Sequence, residues 1–444
     1  MRNTLPQITP HLRVGWPWPD ALGAMRYPAF RWFFFGQLIS LLGSWMQTTA
    51  LQWLAYRLTG SVLSLGTITF ASFLPVLFLS LFMGVLVDRY PRRRLLLLTQ
   101  STFMILAAVL AYLTFSGQVT YNLLLLLSLL LGVANAMDMP ARQSFFSDLV
   151  DREDLLNAIA LNSSVFNGTR ILGPVLGGIV VATWGEATAF GLNAVSFLAV
   201  LLALLAMRLP PSKAPTRDGT SGGRRELREG LSYLRGHRPV LGLVVMIAAF
   251  SLIGFPASVL LPALADEVLG LGVQGYGVLM AAMGIGALVA GILLVIRGKA
   301  VPSPRQLLLE RLLFAASLIP LAVARTLPLA LVALMALGYA LIAQLTVTNT
   351  LVQLLAPDAL RGRLVSAYTW ALGGFWPLGA LLFGALGQRI GVAQTRLAAG
   401  AASGLITVIG WRAFPVPVSL APASLDRELS SGSEGRTGSG PGWR

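Results

Sequence analysis

Apolar runs follow one another along the chain with only short polar breaks between them. They read as Phe30–Leu54, Val62–Val87, Leu95–Phe115, Tyr121–Met139, Ala158–Trp184 and Ala187–Met207, then Leu241–Leu264, Gly275–Ile296, Leu307–Ala324, Leu327–Leu351, Leu364–Leu386 and Arg396–Phe414. Most are apolar on every side of a helix and close to the roughly 20 residues that carry a helix across a bilayer. The pattern predicts twelve membrane-spanning helices and little else. Residues 1–28 read as a polar leader. Residues 209–238 hold Pro210, Pro211, Gly219, Gly222 and Gly223, then arginines from Arg224 to Arg238, and predict a linker ending in an amphipathic surface helix. Residues 416–444 are Ser-, Gly- and Pro-rich and predict a disordered tail.

Composition closes off the soluble alternative. Of the 444 residues, 55% are hydrophobic and 11% are charged, and the mean hydropathy is +0.73. Soluble domains carry about 25% charged residues, so this chain cannot cover a water-facing surface. Lipid solves that, provided the backbone satisfies itself in helices. The net charge of +15 could point to nucleic acid. No compact basic domain exists to carry such a face, so no nucleic-acid partner is expected. There is no cysteine, and His11 and His237 lie outside the apolar runs. Thiol chemistry is excluded, and no metal site or other cofactor is expected. No phosphate-binding loop is present, so ATP drive would need another subunit.

The basic residues alternate with the spans. One set of connections holds Arg89, Arg92, Arg93, Arg94, Arg142, Arg152, the Arg224–Arg238 cluster, Arg297, Lys299, Arg305, Arg361 and Arg363. The alternate set holds only Arg57, Arg325, Arg389 and Arg396. The positive-inside rule makes the rich set cytoplasmic, with both termini on that side of a bacterial inner membrane. The two halves also resemble each other. Leu131-Gly132-Val133-Ala134 recurs as Leu337-Gly338-Tyr339-Ala340, Asp154-Leu155 as Asp358-Ala359-Leu360, and Pro174 with Gly177 as Pro377 with Gly379, each at an offset of roughly 204 residues. The expected units are therefore an N-terminal bundle at 29–208 and a C-terminal bundle at 239–415.

Three motifs carry a family resemblance. Between the second and third spans stand Gly84, Asp88, Arg89, Pro91, Arg92, Arg93 and Arg94. The arginines suit a cytoplasmic turn, but that alone does not explain Gly84 or Asp88. Gly84 would let two helices approach closely, and Asp88 could accept from a neighbouring helix N-terminus or pair with an arginine. This loop resembles the signature of the major facilitator superfamily. The fifth span carries Gly173, Pro174, Gly177 and Gly178, similar to the antiporter motif of drug-exporting members, with Thr169 where a glycine is usual. Small residues at that spacing make a flat packing face and proline adds a kink. The stretches Gly36-Gln37 to Trp45 and Asp138 to Ala158 resemble the branch of enterobactin and macrolide exporters. The resemblance runs from about Phe30 to Phe414. It implies an all-α membrane protein with two pseudo-symmetric six-helix bundles. It further implies a proton-coupled secondary exporter of a small amphipathic molecule, not an enzyme, working by alternating access as a monomer. An importer, a lysophospholipid flippase and a non-transporting receptor stay open as alternatives.

Polar groups inside the spans are the candidate site. Arg170 falls in the fifth span, where arginine costs about 2.5–3.5 kcal/mol on insertion scales, so it should face the interior or water. Ser163 and Asn167 share its face. Asn135, Asp138 and Arg142 share a face of the fourth span, and Asp138 could pair with Arg170 across the cavity or carry the coupling proton. Glu310 and Arg311 read as interfacial. The resemblance implies that the first, fourth, seventh and tenth spans line the cavity. Gln47, Asn135, Phe250 and Gln344 are the lining candidates, with Trp370 and Trp376 from the eleventh span.

Overall fold

In a computed structural model, which describes residues 20–207, 232–296, 302–357 and 360–415, the apolar runs form helices throughout. They are α1 (Pro28–Thr59), α2 (Val62–Arg89), α3 (Arg92–Phe115), α4 (Tyr121–Leu149), α5 (Leu155–Ala206), α6 (Arg238–Ile253), α7 (Gly272–Ile296), α8 (Pro304–Val323), α9 (Leu327–Leu355), α10 (Arg361–Ile390) and α11 (Val392–Ala413). Among the described residues, ten helical stretches are long and apolar enough to cross a membrane. Helix α5 is one of them, yet it holds 52 residues. As one rod that is about 78 Å at 1.5 Å per residue, against about 30 Å of hydrocarbon. It is broken at Gly185, whose φ of 81° suits a residue without a side chain.

Three expectations change. The seventh run does not make one regular helix. Helix α6 ends at Ile253, and the chain continues as a 3-10 stretch, Phe255–Leu260, a short α turn, Leu261–Ala263, and a π stretch, Leu264–Val268. Gly254 and Pro256 interrupt the ladder, since proline donates no hydrogen bond. At the end of the 3-10 stretch, the carbonyl of Leu260 is met by the guanidinium of Arg396, at 2.8 Å. Arg396 is therefore buried at 1% exposure, not placed in a connection. Glu310 and Arg311 are also buried, not interfacial. Glu310 accepts from Gln306 at 2.7 Å, and the Arg311 guanidinium lies 5.8 Å from the Phe250 ring centroid.

The leader is docked where it is described. Residues Asp20–Arg26 form a 3-10 turn against the start of α5. The Ala24 amide donates to Asn157 at 2.9 Å, Arg26 pairs with Asp154, and the Tyr27 hydroxyl donates to Asp151 and Asp154 at 2.9 Å each. Burial pushes the Tyr27 phenol up to about 12. Of the expected surface helix, residues 232–236 are described and are helical. Residues 209–231 and the tail at 416–444 lie outside the described residues.

Helices α1 to α5 pack among themselves, as do α6 to α11. Two seams join these groups, α2 against α10 and α5 against α7. Equivalent glycines seat the second and fourth members of each group. A side chain at Gly132 would strike the Ser72 carbonyl of α2, and one at Gly338 the Met283 carbonyl of α7.

Candidate functional site

The two seams are packed at one end and open at the other. On α5, residues 156, 159, 163, 166, 170, 174 and 177 follow at three- and four-residue steps and form one stripe. Leu156, Ile159, Ser163 and Phe166 on it are exposed, Arg170 is half-buried, and Pro174 and Gly177 are buried. The opposite face of the far half carries the exposed Leu172, Leu176 and Ile179. On α10 the same rule holds. Gly362, Ser366, Thr369, Trp370 and Gly373 are exposed, while Pro377, Ala380, Gly384 and Gly387 are buried. On α7, Gly277 and Gly284 touch α5, while Leu288 and Ile292 further along that face are exposed.

The closed end is held by backbone approach and polar contacts. An added Cβ at Gly178 would lie 3.1 Å from Gly277, and one at Gly277 would lie 2.9 Å from the Pro174 carbonyl. Across the other seam, Gly66 faces the Ala380 carbonyl, and Gly384 lies against Gly66 and Leu63 at 3.1–3.2 Å by the same measure. The Ser61 hydroxyl and the Val62 amide donate to the Gln388 side chain at 2.9 and 3.1 Å. The Tyr56 hydroxyl donates to Glu267 on the broken segment after α6. The opposite, open end is the one that carries Arg89, Arg92, Arg93, Arg94, Arg152, Arg361 and Arg363.

The motif residues divide between these ends. Gly173 and Gly177 seat α5 on α1. A Cβ at Gly173 would strike Trp45, and one at Gly177 would lie 3.0 Å from the Met46 carbonyl. Pro174 and Gly178 meet α7. Thr169 turns its hydroxyl back onto the Val165 carbonyl at 2.8 Å. Gly84 is at the open end, and no atom lies within 4 Å of the Cβ it lacks. It brings no helix close in this conformation, because the seam has already parted there. Arg92 donates to Asp148 at 2.7 Å and to Ser147 at 3.1 Å, and Arg93 donates to the Leu205 carbonyl at 3.0 Å. Arg89 is exposed. The side chain of Asp88 lies outside the described residues.

The intramembrane charges pair differently from expectation. Asp138 is buried at 2% exposure and accepts from Thr99 and Gln100 of α3 at 2.7 Å each. It also pairs with Arg142 one turn along its own helix. It does not meet Arg170. Sharing a cavity was inferred from each helix alone, and Asp138 turns toward α3. Arg170 has no hydrogen-bond or ion-pair partner among the described residues.

The lining candidates also separate. Gln47 is 6% exposed and accepts from Asn193 at 2.7 Å, which ties α1 to the second part of α5. Phe250 is 1% exposed, edge-on to Phe314 at 5.6 Å. Both sit inside helix packing, off the open stripes. Gln344 is buried too, and its amide nitrogen has no partner among the described residues. Asn135 is half-buried on α4. Trp370 is 56% exposed on the open stripe of α10, edge-on to Phe375 at 5.9 Å. Trp376, deeper in, lies 6.2 Å from Phe255. Sequence reasoning missed Trp45 as a site residue. It is edge-on to Phe166 at 5.6 Å, beside Arg170.

Such seams, packed on alternate glycines and parted at one end, define a membrane transporter. The chain belongs to the major facilitator family described as transmembrane secretion effector, matched over residues 20–428. It is 25% identical over 265 residues to the staphyloferrin A transporter of Staphylococcus aureus, covering 60% of this chain and 66% of that protein. It is 29% identical over 391 residues to the enterobactin exporter EntS of Shigella flexneri, covering 86% of this chain and 90% of that one. In fold it is similar to a bacterial homolog of the lysosomal transporter Spinster, at a TM-score of 0.70 and 14% identity, covering 87% of this chain and 96% of that one. A D-xylose–proton symporter superposes at 0.68 and 14% identity, over 86% and 98% of the two chains. The homologues and the fold are those of transporters, not enzymes.

Proposed function

We propose that this chain is a secondary exporter that moves a small amphipathic organic molecule, siderophore-like in character, out of a bacterial cell. Twelve crossings are counted by taking α5 as two spans about Gly185 and α1 as a span. They group as two six-helix bundles, at 29–208 and 239–415. The arginine-rich end faces the cytoplasm, so the open stripes of α5, α7 and α10 form a vestibule that loads from inside. Rocking the bundles about a central site closes that vestibule and parts the outer seam. The single observation that supports this reading best is the reversal along α5, exposed from Leu156 to Phe166 and packed from Pro174 to Gly178.

Proton antiport supplies the drive. Asp138 and Arg142 form the coupling pair, since neutralising Asp138 would free Arg142 from its partner. Gly84, Asp88, Arg89, Arg92 and Arg93 would lock the inner end when the bundles close, and the unit is a monomer. Everted membrane vesicles test the reading. Acid-inside vesicles should accumulate a catecholate siderophore, and Asp138→Asn should abolish that gradient dependence. Accumulation that ignores the gradient removes proton coupling, and uptake only by right-side-out vesicles reverses the direction.

A further inference from the structure

Arg170 stands at the apex of the vestibule. It lies one turn beyond Phe166, the last exposed residue of the α5 stripe, and one turn before Pro174, the first packed one. Residues on either side of it fix its direction. Gly173 and Gly177 seat on α1, while Ile171, Pro174 and Gly178 seat on α7. On a helix at 100° per residue, position 170 falls between those two faces and opposite Leu172 and Ile179. It therefore points into the crevice between α1 and α7, away from lipid.

No acid offsets it. Asp138 is held by Thr99, Gln100 and Arg142, and Glu310 by Gln306. Glu186 pairs with Arg57 and Glu267 accepts from Tyr56, both at the closed end. The other buried arginines each have a protein partner. Arg396 donates to the Leu260 carbonyl, and Arg311 donates to Thr348 at 3.5 Å. Arg170 alone among these membrane-embedded arginines has none among the described residues. Beside it are the ring pair Trp45 and Phe166, and Asn167 and Ser163 lie one and two turns toward the opening. A permanent cation, a flat aromatic wall and amide and hydroxyl groups together suit an amphipathic organic anion.

Resting on the exporter reading above, we propose that Arg170 is the anion receptor of the central site. It selects substrates that bring a carboxylate, catecholate or phosphate next to an apolar body, over lipophilic cations. The guanidinium fork meets two oxygens at once, which a neutral ester cannot offer. The anion can be carried by a soluble molecule or by a lipid headgroup, since both present the same oxygens.

Two matched pairs test this, with binding read as the ligand-dependent rise in unfolding midpoint of the detergent-purified full chain. One pair is 2,3-dihydroxybenzoylserine and its methyl ester. The other is lysophosphatidylglycerol and a monoacylglycerol, which lacks the phosphate. In at least one pair the anion should bind about tenfold tighter than its uncharged partner, a difference of about 1.4 kcal/mol. The pair that shows it names the source. Arg170→Gln should erase the preference and leave the weaker partner's affinity unchanged, while Arg170→Lys keeps only the part that charge alone supplies. Parity within both pairs, including absence of binding by all four, overturns the proposal, as does an undiminished preference in Arg170→Gln. An anion preference without gradient-driven accumulation in vesicles would keep the receptor and remove the proton-coupled export.

Discussion

The two ends of the inter-bundle seams are built from the same helices and behave oppositely. At the packed end, glycines let backbones touch: Gly66 with Ala380 and Gly384, and Gly178 with Gly277. Polar side chains then cross the join, from Tyr56 to Glu267 and from Ser61 to Gln388. At the arginine-rich end, the same helix faces carry Ser163, Phe166, Ile292, Ser366 and Trp370, all exposed. Small residues mark where the two helix groups meet, and larger or polar ones line the open end. Closing the inner end needs a different set of contacts, for which the Gly84 to Arg93 loop is available.

The contrast can be broken most severely by a covalent tie. The chain has no cysteine, so Ser61→Cys with Gln388→Cys is a clean pair. Bridged by a short thiol cross-linker, it should lose all gradient-driven flux and regain it when the linker is cleaved. Transport that survives the bridge would mean the outer seam need not open. A smaller effect separates the two glycines of the α2 face. Gly66→Leu drives a side chain into the Ala380 carbonyl and should cost about 1–3 kcal/mol in thermal unfolding. Gly84→Leu enters open space and should stay within about 0.5 kcal/mol, while its flux falls because the inner end can no longer close. Smaller still is Tyr56→Phe, which removes one hydrogen bond to Glu267. It should weaken the outer seam by about 1 kcal/mol, roughly a five-fold shift toward the outer-open population by single-molecule distance measurement. The least is Arg26→Ala. Its pair with Asp154 is half-exposed, so unfolding should shift by only about 0.2–1 kcal/mol.

Much of the fold was legible because a bilayer imposes it. The apolar runs matched helices, and the gap between the runs ending at Trp184 and starting at Ala187 holds the break at Gly185 within α5. The repeat that paired Gly132 with Gly338 marked two equivalent close contacts. Legibility failed where one helix answers another. Asp138 and Arg170 were each recognisable as expensive and inward-facing, but which face turns toward α3 and which toward the crevice is set by packing. Arg396 read as a connection charge. Its burial goes with its bond to the Leu260 carbonyl, at the end of the 3-10 stretch that Gly254 and Pro256 begin. That signal was present in the sequence as a glycine and a proline inside an apolar run. Trp45 was passed over because an aromatic in a span is ordinarily packing, and only the Phe166 contact and the neighbouring Arg170 set it apart.

The central claim is that the two ends exchange states during transport. Pulsed spin-label distance measurements test it directly, on one pair across the α5–α7 seam at the inner end, Ser163→Cys with Ile292→Cys, and one at the outer end, Trp184→Cys with Leu271→Cys. All four positions are exposed. Imposing a proton gradient with substrate should populate a state in which the inner distance shortens as the outer one lengthens. Both distances staying fixed, or moving in the same sense, would contradict alternating access in this chain.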